Sequence, residues 1–531
     1  MPNDRGGHGG SACFRAALIG AALAVTGLPA GAEAPLSAID WLSQSVATPN
    51  GAVVETPKAG KPAGRVEAPV SPDGALPEDV AVSTLDAPSP DGAGLFSPAV
   101  TGLPRDLWGM GLETEIAARI SAESPEPLPA LQGLLMMLLL AEAAPPADSA
   151  GKGNLLLSRT DKLLDIGALD QAQALIDSSG LNDPPMFRRA FDIALLTGNE
   201  DRGCEMMQAL PNLAPTFPAR IFCLARSGDW NAAALTLRTA QALGQIGDEE
   251  DLLLSRFLDP DLYEGETMDL SALRVSPLTW RLLEAIGEPM PTATLPLAFA
   301  HAELRETAGW KTQIEAAERL CRVGAISPNL LLGLYTERLP AASGGVWTRV
   351  DAVQRFDTAL RAGDPGAVAK SLPTAWSAMT EAELEVPFAL LFADALSRLP
   401  LSGEADAIAF EVALLSDRYE TVAKGRKPQS PREAFLIGLA TGNLAGAVPQ
   451  DSLGRAIAPA FLRPELTAEM QTLLDQRRLG EALLIAIGQI GSGLEGQLAD
   501  VTAGLSLLRQ AGLEDVARRT ALQLVLLERR G

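Results

Sequence analysis

From Leu103 to the end of the chain, apolar residues recur at steps of three and four, and runs of alternating β-branched residues are absent. That period keeps apolar side chains on one face of an α-helix, whereas a half-buried strand needs strict alternation. Gly, Asn, Asp and Pro cut the pattern into segments of ordinary helical length. One punctuation recurs. Leu163-Leu164-Asp165-Ile166-Gly167-Ala168-Leu169 is echoed around Gly198 and again around Gly228, 31 and 30 residues further on. Further echoes centre on Gly363, Gly442 and Gly512. A glycine there takes the left-handed conformation that ends one helix, and the residue after it helps to start the next. Five residues past each glycine stands a compact residue: Ala172, Gly203, Ala233, Val368, Ala447 or Ala517. A second helix must pass close to the first at that point. The expected architecture is all-α, an α-solenoid of stacked antiparallel helical hairpins.

At these residues the chain resembles the tetratricopeptide (TPR) repeat family, in which Gly followed five later by Ala marks the crossing of helix A and helix B, with a period near 34 residues. The resemblance covers about half of 150–260 and 350–531. A repeat-like segment from Leu473 to Ala482 has Arg477 where the glycine belongs. The resemblance implies a binding surface without chemistry of its own, its concave face supplied by helix A. It also puts Cys204 on helix B of one unit and Cys223 on helix A of the next, with the connecting loop near Leu213 midway. The pair can then be bridged if the two helix faces agree; otherwise they are two packed thiols. Cys321 has no mate and reads as a small buried residue.

The N-terminus has a different grammar. Arg5 and Arg15 precede an apolar run from Ala16 to Leu28, and Ala30-Gly31-Ala32 is a small-x-small cleavage site. About 20 apolar residues are needed to span a bilayer, so a signal peptide cleaved after Ala32 fits better than an uncleaved anchor. The expected location is the periplasm. Residues 33–46 hold a short amphipathic stretch in which Leu36, Ile39, Leu42 and Val46 share a helical face, with Trp41 beside it. It reads either as a docking motif for a groove in a partner or in this chain, or as a post-cleavage tail. Residues 47–104 carry ten of the 39 prolines and read as a disordered linker. Beyond it, Gly287-Glu288-Pro289-Met290-Pro291 divides the array into subdomains 105–288 and 289–531.

Charge and residue counts exclude several functions. The net charge is −23, and −24 once residues 1–32 leave with Asp4, Arg5 and Arg15. Such a chain is repelled by nucleic acid and by anionic lipid surfaces. After cleavage His301 is the sole histidine, too little for a His-based triad or, with three scattered cysteines, for a zinc site. Its setting, Leu297-Ala298-Phe299-Ala300-His301-Ala302, is that of a structural histidine. Gly491-Ser492-Gly493-Leu494-Glu495-Gly496 matches the dinucleotide fingerprint, but too few residues follow for a Rossmann sheet. Glu123-Ser124 is similar to the catalytic dipeptide of peptidoglycan-cleaving enzymes that carry helical solenoids, yet it runs into Pro125 and lacks the family's downstream Gly-Leu-Met-Gln motif. The expectation is a non-enzymatic scaffold with no catalytic residue, cofactor or metal, and with a protein partner in the cell envelope. The exported, helical, proline-led profile is similar to that of periplasmic accessory proteins of the flagellar motor and of other envelope machines. A divergent peptidoglycan-active enzyme is the alternative.

Overall fold

The computed structural model describes residues 89–180, 183–265 and 274–527. The expected export segment 1–32, the segment 33–46 and the expected linker as far as residue 88 lie outside the described residues. What is described is all-α: successive helices from Pro98–Thr101 to Glu514–Leu526, with no strand. The sole β contact among these residues is an isolated bridge between Phe96 and Ala141.

Backbone geometry shows why the helices end where they do. Gly167, Gly198, Gly228, Gly363, Gly442 and Gly512 all have φ between 64° and 85°. In each turn the following amide reaches back to close the helix, as in Ala168 N to Leu163 O at 2.8 Å, Asp229 N to Leu224 O at 3.0 Å and Leu513 N to Leu508 O at 2.8 Å. Asp229 and Asp364 then accept from the first amides of the next helix. At Gly203 an added Cβ would lie 2.7 Å from the Phe191 ring, so the crossing of Pro184–Thr197 and Glu200–Ala209 requires glycine. Gly442 departs from the pattern. The next helix starts only at Ser452, and Ala447 sits in the intervening turn.

Two turns of the same form lack glycine. Glu383 and Arg477 have φ of 55° and 57°, with Leu384 N to Met379 O at 2.9 Å and Arg478 N to Leu473 O at 2.8 Å. A side chain in this region costs about 1 kcal/mol or more. The exposed Arg477–Asp106 pair, at 3.5 Å, returns little of that. Arg477→Gly is therefore expected to stabilise the protein by about 0.5–1 kcal/mol, read as a raised thermal midpoint. A lowered midpoint would show that the arginine's contacts outweigh the strain.

Many helices adjacent in sequence pack against each other, for example Phe217–Arg226 with Trp230–Ala242 and Val346–Arg361 with Pro365–Thr380. The packing does not stay between neighbours. Helices Glu113–Ala122 and Pro129–Leu140 lie against Leu479–Leu494, and Pro129–Leu140 also against Glu514–Leu526. Gly480 N donates to Leu107 O at 2.9 Å, and an added Cβ there would sit 2.5 Å from the Trp108 ring. The Glu481 carboxylate, with a fully buried side chain, accepts from Arg478 at 2.7 Å and from Arg119 at 3.3 Å. Gln523 accepts from Ala130 N at 2.8 Å. Helices near the two ends of the described residues are thus joined, where an open stack would leave each touching only its sequence neighbours.

Two expected boundaries move. The linker reading of 47–104 extends too far, because residues 89–104 are packed. Asp91 is fully buried and accepts from Ser149 Oγ at 2.7 Å and from Leu156 N at 3.1 Å, near the N-terminus of helix Asn154–Asp165. The proline-rich composition hid one well-paired acid. Nor does the core divide at 288. The largest apolar cluster runs from Leu103 to Leu527 and takes in Ile193, Leu196 and Trp280, while a second gathers other residues between Phe187 and Leu283. The segment after the prolines, Leu297–Leu304, is a 3-10 helix with Ala298, Phe299 and Ala300 fully buried.

Candidate functional site

Among the described residues, those singled out from the sequence do not converge on one place. Three turn glycines approach different parts of the fold, Gly167 facing Leu297 and Leu320, Gly198 facing Arg305 and Gly442 facing Arg518, while Gly228, Gly363 and Gly512 face open space. Cys204 and Cys223 form a disulfide, with Cα atoms 5.0 Å apart and a sequence separation of 19. Closing a loop of that length contributes roughly 3 kcal/mol in the chain-entropy treatment. Reduction, or the Cys204→Ser/Cys223→Ser pair, is expected to lower stability by about that amount. A thermal midpoint unchanged by reductant would contradict this. Cys321 is buried, and burial, reinforced by Glu318, pushes its thiol up to about 12.

His301 is buried, and its Nε2 lies 2.7 Å from the carbonyl of Gly167. Burial pulls its pKa down, so the neutral ring donates to that carbonyl and braces the first turn glycine. The Gly491–Gly496 fingerprint is not a phosphate loop. Its first residues belong to helix Leu479–Leu494, and Gly493 is there because Val501 would lie 2.2 Å from any Cβ. Among the described residues no three His, Cys, Asp or Glu side chains gather as a metal site, and no helix is long and apolar enough to cross a membrane.

Two concavities carry unsatisfied polar groups. The first is an apolar groove of about 520 Å3 between helix Pro129–Leu140, the turn Val323–Pro328 and the start of helix Glu385–Leu396, with Phe96 and Val100 at its edge. Gln132 lines it and is 3% exposed, yet neither its Oε1 nor its Nε2 has a partner. The Oε1 of Gln171, also on the wall, is buried and unpaired. A buried amide with no partner costs on the order of 1–3 kcal/mol, so a guest that draws these side chains toward it and pairs them recovers part of that cost. Phe96, Val100 and Leu390 remain exposed around the rim.

The second is a cleft of about 650 Å3 between residues 119–131 and helix Leu479–Leu494. Glu123 ends helix Glu113–Ala122 and is 8% exposed. Its carboxylate oxygens would lie 4.0 Å from a Cβ on Gly488, and Oε2 has no hydrogen-bond partner. Burial pushes its pKa up to about 8 against the smaller pulls of Lys162 and Arg119. Lys162 spends its protons on the backbone oxygens of Ser121 and Glu123 and on Asp165 rather than on the carboxylate. Glu123 is therefore a neutral acid at pH 7, a hydrogen-bond donor facing a cleft that Glu126, Gln489 and Glu495 also line. Nothing local marks it, because helix Asn154–Asp165 packs against its own helix and helix Leu479–Leu494 faces it across the cleft, both from further along the chain.

No protein-family model matches this chain, and neither a curated protein nor a solved structure matches it significantly.

Proposed function

We propose that this chain is an exported, non-enzymatic scaffold, a degenerate TPR-like helical-repeat array that holds an envelope protein in its apolar groove. The observation that carries the reading is the groove beside Gln132: a site of the size that ligand pockets have, lined by apolar side chains with a few unpaired amides. A peptide segment supplies what that surface lacks, apolar side chains together with amide donors and acceptors. The signal segment 1–32 delivers the chain to the periplasm, where a disulfide such as Cys204–Cys223 persists. Service to the flagellar motor or another envelope machine is the specific form of this role. N-terminal sequencing of the mature protein should begin at Glu33. A photo-reactive residue at Val100, on the groove rim, should capture a defined envelope protein in intact cells. Capture no different from that of a probe at exposed Leu235, away from the groove, would end the scaffold reading.

A second reading is favoured by Glu123. A carboxylic acid held protonated at neutral pH can give its proton to a glycosidic oxygen, which suits a divergent peptidoglycan-active enzyme. Purified sacculi decide between the two. The scaffold reading expects no clearing, and turnover that Glu123→Gln abolishes would replace it.

A further inference from the structure

We propose that the apolar groove beside Gln132 is the seat of the chain's own segment Leu36–Val46, with Trp41 inserted and its indole N–H donating to a free carboxamide oxygen. The proposal deepens the reading of the groove as a peptide site, and names the peptide that fills it before a partner arrives.

Four observations point to this occupant. The segment places Leu36, Ile39, Leu42 and Val46 on one helical face, which suits a groove walled by residues such as Met136, Met137 and Ile326. A buried tryptophan needs an acceptor for its N–H, and the groove holds the unpaired Oε1 atoms of Gln132 and Gln171. The segment's only charge is Asp40, and the groove's only ionised side chain is Arg322, which also lies 3.5 Å from Glu383. Finally, the tether is attached beside the groove. The described chain begins at Ser89, and Phe96 and Val100, a few residues on, are groove edge. Forty-two residues separate Val46 from Ser89, and a coil of that length spans on the order of 35 Å. Such a connection holds the segment near the groove at an effective concentration in the millimolar range.

Hydrogen–deuterium exchange on the whole mature protein tests this. The amides of 36–46 should exchange at least tenfold more slowly than in a free peptide of the same sequence. Gly133→Trp should abolish that protection by filling the groove. An added Cβ at Gly133 meets nothing within 4 Å, so the body should keep its thermal midpoint. Gln132→Leu should reduce the protection about fivefold, the loss expected for one hydrogen bond, whereas purely apolar docking would strengthen. Free-peptide exchange in the unaltered protein overturns the proposal, as does protection that survives Gly133→Trp. Protection that disappears on dilution also overturns it, because the occupant would then belong to a second copy. The outcome is separable from the partner reading: unprotected 36–46 leaves the Val100 capture in cells standing, and failed capture leaves the exchange result standing.

Discussion

Glu123→Gln is expected to remove a pH-dependent loss of stability that the unaltered protein shows between about pH 4.5 and pH 8. In the unfolded chain this carboxyl gives up its proton near its ordinary value of 4.5, whereas in the folded protein burial holds the proton to about 8. Between those values the folded state binds more protons than the unfolded one, so stability falls as pH rises and levels off above about 8. The full difference amounts to roughly 2–5 kcal/mol, bounded by the size of the shift. Glutamine has nearly the same volume and is neutral throughout. The variant should match the original near pH 4 and exceed it by most of that difference near pH 9. Denaturation midpoints of the two proteins at several pH values measure this, and parallel profiles would show that Glu123 is not held neutral. The same substitution separates the two functional readings, since it should leave partner capture at Val100 unchanged.

Arg159→Met should cost about 3–5 kcal/mol, the range for stranding one side of a buried charge-assisted network. Arg159 is 1% exposed and donates to four carbonyls: Leu139 at 2.8 Å, Ala93 at 2.7 Å, Ala141 at 2.9 Å and Asp91 at 3.3 Å. Burial pulls its pKa down to about 10, which Asp91 opposes, so it remains a cation at neutral pH. Methionine fills similar volume and donates nothing. Four buried carbonyls would lose their partner, and the segment Ser89–Phe96 would lose its main tie to helix Asn154–Asp165. Limited proteolysis should then cut near 93–104 before any other part of the body opens. A variant as resistant as the original would show that Asp91, through Ser149 and Leu156, suffices to hold the segment.

The residues behind both predictions show how far the sequence could be read. The dipeptide Glu123-Ser124 is legible in the sequence, but no companion motif accompanies it. The altered acidity of Glu123 comes from burial in the packed body, which no local pattern encodes. The stretch 89–104 shares the composition expected of a linker, and long-range contacts of Asp91, Arg159, Phe96 and Leu103 separate it from one. The cysteines on neighbouring helices left two outcomes open. The helical phase that brings their Cα atoms to 5.0 Å is a property of the packed pair.

Local chemistry alone determined that the chain beyond Leu103 is helical and where many helices end. The apolar period and the left-handed freedom of glycine act over a few residues, and the six turn glycines take the conformation that this argument requires. Tertiary packing alone decided that the first helices lie against the last, that Arg477 and Glu383 tolerate a glycine's backbone, and that unpaired groups face a groove and a cleft. Those outcomes depend on which distant apolar faces exclude water together, and contacts such as Leu107 with Gly480 join residues that no short window contains.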